Sequence, residues 1–229
     1  MRKIMLSAEF LDSYNNSRKE FSDIELHYSD FNGRNFEGLK IRNSKLFFVT
    51  FRHCNLKNVV FEDCEIIFGA FGFSEIKNAR FVRCQIEYTG FTGAKIDNSK
   101  MIDTRLSWIS LIDATLGGLE IRNCSEFHVF RNISELTPSL LARALTEIQP
   151  LMHQMDFDMQ QKIKEIIDSF MKQYKLQASA NPPAGKSYGA AAGSGYRMLD
   201  ALIDRAIRTY GSEPPYSQKK PYETKPKYK

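Results

Sequence analysis

The sequence contains no apolar run long enough to cross a membrane. A membrane-spanning helix needs about 18 or more consecutive apolar residues, and no such run occurs in the 229 residues. The stretch Met1–Phe10 also lacks the apolar core of a secretory signal. These two features predict a cytoplasmic protein that does not contact a membrane.

Residues that carry chemistry are also few. The chain has only four histidines and four cysteines. The histidines are scattered, and none stands at the spacing of a metal site or beside a nucleophile or carboxylate that it would activate. We therefore expect no catalytic residue, no metal site and no cofactor, which argues against an enzyme.

What the sequence does contain is a period of five. Every fifth residue from Phe21 to Ile121 is apolar without exception, although only 42% of the chain is apolar. This period fits neither an α-helix nor a flat strand. It predicts a solenoid, in which the chain turns a corner after each short segment and stacks coil upon coil.

A second register supports the first. Three residues after most of the apolar positions stands a small residue, so that each unit could fill a narrow interior with one large and one small side chain. All four cysteines fall in this register, which predicts buried, reduced thiols that act as small apolar filler.

Units such as Ala94-Lys95-Ile96-Asp97-Asn98 and Cys54-Asn55-Leu56-Lys57-Asn58 resemble the pentapeptide-repeat family, whose consensus is roughly Ala-(Asp/Asn)-Leu-X-X. In many units Lys, Arg, Glu or Gln replaces the consensus Asp/Asn. The resemblance implies a right-handed quadrilateral β-helix with four units per coil. We therefore expect an all-β solenoid of about five coils over residues 21–125, followed by C-terminal α-helices. A twenty-residue coil predicts that Phe51 and Phe71 stack at the ~4.8 Å strand spacing.

The remaining segments have other compositions. Their patterns predict an N-terminal cap (1–20), a helical capping or oligomerisation region (126–177), a flexible linker (178–195), an amphipathic helix (196–211) and a disordered basic tail (212–229).

One outward ladder of the predicted coil is aromatic. Rings of ~150 Å² or more each would form an apolar surface that monomers rarely leave bare. The pattern leaves three occupants open: the chain's own C-terminal helices, a second copy or another protein. We interpret these residues, with the apolar side of the 196–211 helix, as partner-binding: Tyr28, Phe48, Phe68, Tyr88, Trp108, Leu199, Leu202, Ile203 and Ile207.

The sequence therefore favours a protein-protein interaction scaffold, expected to form a homodimer through its C-terminal helices or the aromatic face. The family resemblance implies an alternative, a DNA mimic that binds and protects the topoisomerase gyrase. Such mimicry requires an acidic rod, whereas residues 21–125 carry equal numbers of acidic and basic side chains. The net charge of +5 lies in residues 178–229, so we expect nucleic acid to bind only through the basic tail (212–229) in that part of the chain.

Overall fold

The computed structural model describes residues 2–131 together with 143–144, 146–152, 155 and 160–161. Most of the predicted region 126–177 and all of the segments predicted beyond it, including Leu199, Leu202, Ile203 and Ile207, lie outside the described residues.

The chain forms short parallel strands that repeat every twenty residues. After β1 (Lys3–Ile4) and α1 (Ser7–Asn15), two main sheets alternate along the chain. The short-strand sheet contains β2 (Glu20–Ser22), β4 (Lys40–Arg42), β6 (Val60–Glu62), β9 (Arg80–Val82), β12 (Lys100–Ile102) and β14 (Glu120–Arg122). The long-strand sheet contains β1, β3 (Ile24–Asp30), β5 (Lys45–Thr50), β7 (Glu65–Ala70), β10 (Gln85–Gly90), β13 (Arg105–Ser110) and β15 (Ser125–Phe130). A third pair consists of β8 (Glu75–Lys77) and β11 (Lys95–Asp97), and a short helix, α2 (Gln149–Met152), follows the strands.

The register of these strands confirms the twenty-residue coil. Leu46 pairs with Ile66 and Ile66 with Ile86, always in parallel. The side between the long-strand sheet and the third pair is bonded in the same way, since Phe71 N donates to Gly90 O at 2.7 Å. All four sides of the coil are thus held by main-chain hydrogen bonds, and the fold is a parallel β-solenoid.

The solenoid has about six coils rather than the five expected from the sequence. The sixth coil closes because β15 still pairs with β13, and Leu111 N donates to Phe130 O at 2.7 Å. Glu126 stands in this coil where Leu106 stands in the one before it. The apolar pattern fails there, but main-chain pairing persists, because among the described residues no further coil packs on that carboxylate, which pairs with Arg131 instead.

Stacked rings fill the interior as the period of five predicts. The rings of Phe51 and Phe71 lie 5.2 Å apart at 19°, which confirms the predicted ladder. Across the interior Phe71 meets Phe81 edge to face, with centroids 6.3 Å apart at 86°. Both arrangements are favoured geometries for aromatic pairs.

The small register does more than fill space. Ser99 Oγ accepts the main-chain N–H of Ala79 at 3.0 Å and donates to the carbonyl oxygens of Ile76 and Asp97, both at 3.1 Å. A hydroxyl at this position therefore satisfies buried polar groups at the corner of the coil. Cys54, Cys64 and Cys84 are buried free thiols at equivalent positions.

The first coil is covered by α1. Phe10 is fully buried, with its ring 4.4 Å from that of Phe21 and 5.1 Å from that of Phe31. β1 adds a strand to the same end by pairing with β3.

The last coil is not covered to the same degree. Leu116 remains 37% exposed and Phe127 52% exposed, so within the described chain the two ends of the rod differ.

Candidate interaction site: an aromatic column outside the rod

A column of aromatic rings runs along the long-strand sheet, outside the interior. It consists of the five predicted residues and one more, and none of the six belongs to the interior cluster. We call it the aromatic column: Tyr28, Phe48, Phe68, Tyr88, Trp108 and His128.

Each residue of the column has a left-handed backbone. Phe48 has φ +53°, Phe68 +56° and Trp108 +56°. Asparagine occupies equivalent corners on another side of the coil, for example Asn58 and Asn78. Asparagine tolerates this conformation far better than bulky aromatic residues, which adopt it at a cost on the order of 1–3 kcal/mol each. The corner of the coil imposes the left-handed conformation, but the solenoid does not require an aromatic side chain to adopt it.

The rings of the column stack from coil to coil. Phe48 and Phe68 lie 4.5 Å apart at 17°, and Phe68 and Tyr88 lie 5.2 Å apart at 27°. At the far end Trp108 lies 6.2 Å from Tyr88 at 9° and 4.1 Å from His128 at 28°. The result is a continuous apolar surface one ring wide.

The column is not an open surface. Its five predicted members are between 0% and 6% exposed, and the neighbouring Phe47 and Ile67 are also buried. This agrees with the expectation that such an aromatic face does not stay bare, and the partner-binding role of these residues stays a prediction.

At the Trp108 end, the column also contacts the chain's own C-terminal part. Trp108 Nε1 donates a hydrogen bond to Glu147 Oε2 at 2.8 Å, and Arg143 Nε donates to Glu147 Oε1 at 2.6 Å. Ile148 and Met155 are buried. We call the described residues between 143 and 155 the covering segment; among the described residues its hydrogen bond to the column is at Trp108.

Glu147 is held in its charged form. Its hydrogen bond from Arg143, and then the one from Trp108, lower the pKa of the carboxyl from its ordinary value. Burial raises the pKa of the Tyr88 hydroxyl, and the negative charges of Glu147 and Glu87 add to that rise. The indole N–H of Trp108 therefore donates its hydrogen bond to a charged carboxylate, that of Glu147.

Two members of this arrangement were not predicted. His128 lies twenty residues after Trp108, so extending the ladder by one coil would have identified it. Glu147 lies outside the repeats, and no periodic signal marks it. The predicted apolar helix residues Leu199, Leu202, Ile203 and Ile207 fall outside the described chain, so no contact with the column is assigned to them.

The short-strand sheet presents paired charges instead. Arg42 bonds to Glu20 at 3.1 Å and to Glu62 at 3.0 Å. Arg83 continues the ladder by bonding to Glu62 and Asp63, both at 2.7 Å. Opposite charges thus alternate from coil to coil on this side, and the surface is not acidic throughout.

The described residues contain no group of three or more His, Cys, Asp and Glu side chains placed to hold a metal ion. Separately, no helix within the described ranges is both long enough and apolar enough to cross a bilayer.

No protein-family model and no curated protein matches the sequence. Among solved structures, one match is QnrB1, described as a plasmid-mediated fluoroquinolone resistance protein, with 16% identity and a TM-score of 0.37; the match covers 48% of this chain and 61% of that chain. A second is the pentapeptide-repeat protein Rfr23 from the cyanobacterium Cyanothece 51142, with 13% identity, a TM-score of 0.28 and 51% and 96% covered. A third is HetL from Nostoc sp. strain PCC 7120, a pentapeptide-repeat protein involved in regulating heterocyst differentiation, with 10% identity, a TM-score of 0.28 and 56% and 93% covered. At these identities the likeness concerns the fold alone.

Proposed function

We propose that this chain, which has the fold of the pentapeptide-repeat proteins, is a non-catalytic scaffold for protein-protein interaction. The observation that carries the proposal is the aromatic column, a second apolar layer that the rod holds outside its own interior. The chain's own covering segment contacts this layer at Trp108 through Glu147, and we expect a helix of a partner protein to dock on the same layer.

The energetics of the column support this role. The interior is already filled by its own ladders of large residues. Asparagine at the outer corners would close the coils with less strain, as it does at Asn58, Asn78 and Asn98. Aromatic side chains bury about 150–250 Å² each when covered, so the column contributes chiefly to whatever packs on it. This separation suits a rod that displays a docking surface.

We place this activity in the cytoplasm and in a homodimer. The four free cysteines fit a reducing compartment. The open last coil, with Leu116 and Phe127 exposed, offers apolar surface that a second copy would cover. The apolar side of the 196–211 helix remains part of the proposal as a second, tethered contact.

The experiment compares proteins captured by full-length wild type, Trp108→Ala and Phe73→Ala. Phe73 is the matched control, since it is also an aromatic residue with positive φ but is 57% exposed on another side of the coil. We expect a defined partner that wild type and Phe73→Ala retain and Trp108→Ala loses. The same set of proteins on all three baits would overturn the proposal.

A supercoiling assay with purified gyrase tests the DNA-mimic alternative. Because opposite charges alternate on the short-strand sheet, we expect neither inhibition nor protection by the full-length protein. Protection of gyrase at stoichiometric concentration would favour the alternative instead.

A further inference from the structure

The contact between Trp108 and Glu147 indicates which chemical groups a ligand of the column needs. Trp108 is the only tryptophan of the chain, and its side chain is buried in the column. A buried indole N–H needs an acceptor, because an unsatisfied donor is costly. Glu147 supplies that acceptor as a carboxylate, and a hydrogen bond to a charged group is among the stronger kinds.

Between its two tyrosines, Tyr28 and Tyr88, the column offers no polar side-chain group. Phe48 and Phe68 present only ring surface, which binds apolar side chains without fixing their register. The N–H of Trp108 therefore defines one end of the docked segment. A ligand of this surface needs an apolar side to cover the rings and one carboxylate at the Trp108 end.

The covering segment meets this description, but its polar anchor is solvent-accessible. The side chains of Glu147 and Arg143 are 38% and 62% exposed. Ion pairs at such exposure contribute little, because water competes for both partners. The hydrogen bond between Trp108 and Glu147 is consequently strong enough to fix the register of the covering segment. It is also weak enough for another carboxylate to replace Glu147.

We infer that the aromatic column accepts, in trans, an amphipathic helix that carries a carboxylate, and that Glu147 of the covering segment is the competitor that such a helix displaces from Trp108. This inference rests on the proposed function and names the chemistry of the partner. The covering segment thereby occupies the Trp108 end of the column until a matching helix displaces it.

The test uses the full-length chain and a synthetic peptide of residues 143–155 as the probe. The peptide contains no tryptophan, so the emission of Trp108 reports binding on the protein alone. Wild type is compared with Glu147→Lys, which removes the competing acceptor, and a second peptide carries the same Glu147→Lys change. Circular dichroism verifies that the solenoid remains folded in the variant.

We expect the Glu147→Lys protein to emit at longer wavelength than wild type and to bind the unmodified peptide roughly tenfold or more tightly than wild type does. The lysine-bearing peptide should bind at least tenfold more weakly than the unmodified one. Equal affinity for the two peptides, or no binding to either protein, would overturn the inference. Those results would leave the proposed function to be judged by the capture experiment, which does not depend on the peptide.

Discussion

The indole of Trp108 contacts both the repeating coils and the chain that follows them, which lacks the period of five. Its ring stacks on His128 with centroids 4.1 Å apart, and its N–H donates to Glu147 at 2.8 Å. The first contact belongs to the repeating coils and the second to the non-repeating chain that follows. Trp108 is therefore where the rod and the covering segment meet.

The buried middle of the column predicts a strong effect of charge. Phe68→Asp should lower the free energy of unfolding by at least ~3 kcal/mol, because it removes a fully buried ring and buries a carboxylate without a partner. Asn78→Asp is the control, since Asn78 has nearly the same φ, +54° against +56°, and is exposed. It should change stability by less than ~0.5 kcal/mol. Urea denaturation measures both, and small, equal losses would mean that the column carries no packing energy.

The glycines on another ladder allow backbone strain to be separated from a ring contact. A Cβ at Gly93 would lie 2.5 Å from Phe73 Cε1, whereas one at Gly33 would meet nothing within 4 Å; both residues have positive φ, +66° and +70°. Gly33→Ala should cost about 1–2 kcal/mol from the left-handed conformation alone. Gly93→Ala should cost about 0.5–1.5 kcal/mol more, because Phe73 must leave its place.

A double-mutant cycle identifies the origin of that excess. Phe73 also stacks on His53, with centroids 5.2 Å apart at 9°, so moving its ring sacrifices this aromatic pair. In a Phe73→Ala background the costs of Gly33→Ala and Gly93→Ala should become equal. If Gly93→Ala still costs more than Gly33→Ala in that background, the additional cost comes from the main chain and not from the ring of Phe73.

How far the sequence determines these features depends on whether they repeat. The interior ladder Phe31, Phe51, Phe71 and Phe91 could be predicted, because each coil imposes the same packing problem on residues twenty apart. The strained conformation of Phe48 and Phe68 could not, since aromatic residues seldom adopt positive φ. Glu147 could not be placed either: its position depends on how a non-repeating segment folds back, which no period encodes.

Acid should release the covering segment from Trp108. The pKa of Glu147 is lowered in the folded state by Arg143 and Trp108, so its contribution is fully present above its ordinary pKa of 4.5 and is lost as pH falls through the lowered value. The emission of Trp108 should therefore shift to longer wavelength below about pH 4.5. Glu147→Gln is the control: a pH shift that persists in this variant would assign the change to another group.

The cysteines should differ in their reactivity. Cys54, Cys64 and Cys84 are buried, whereas Cys124 in the last coil is partly exposed. Burial also raises the pKa of the Cys54 thiol to about 11, which leaves little reactive thiolate at neutral pH. A thiol reagent such as Ellman's should titrate one cysteine in the native protein and four in urea. Two or more fast-reacting thiols in the native state would contradict the buried ladder.

The unequal ends of the rod predict how two copies associate. Phe10 of α1 covers the first coil, while Leu116 and Phe127 of the last coil stay exposed beside the edges of β14 and β15, on which no further strand pairs within the described part of the chain. Edges and apolar rungs of this kind favour pairing with another chain. Wild type should scatter light as a dimer at micromolar concentration, and Leu116→Glu or Phe127→Glu should scatter as a monomer, because a charge in the contact opposes desolvation. Phe73→Glu, a matched change on an exposed side of the coil, should leave the dimer intact. A monomeric wild type, or three variants that dimerise equally, would mean that two copies of this chain do not associate through the last coil.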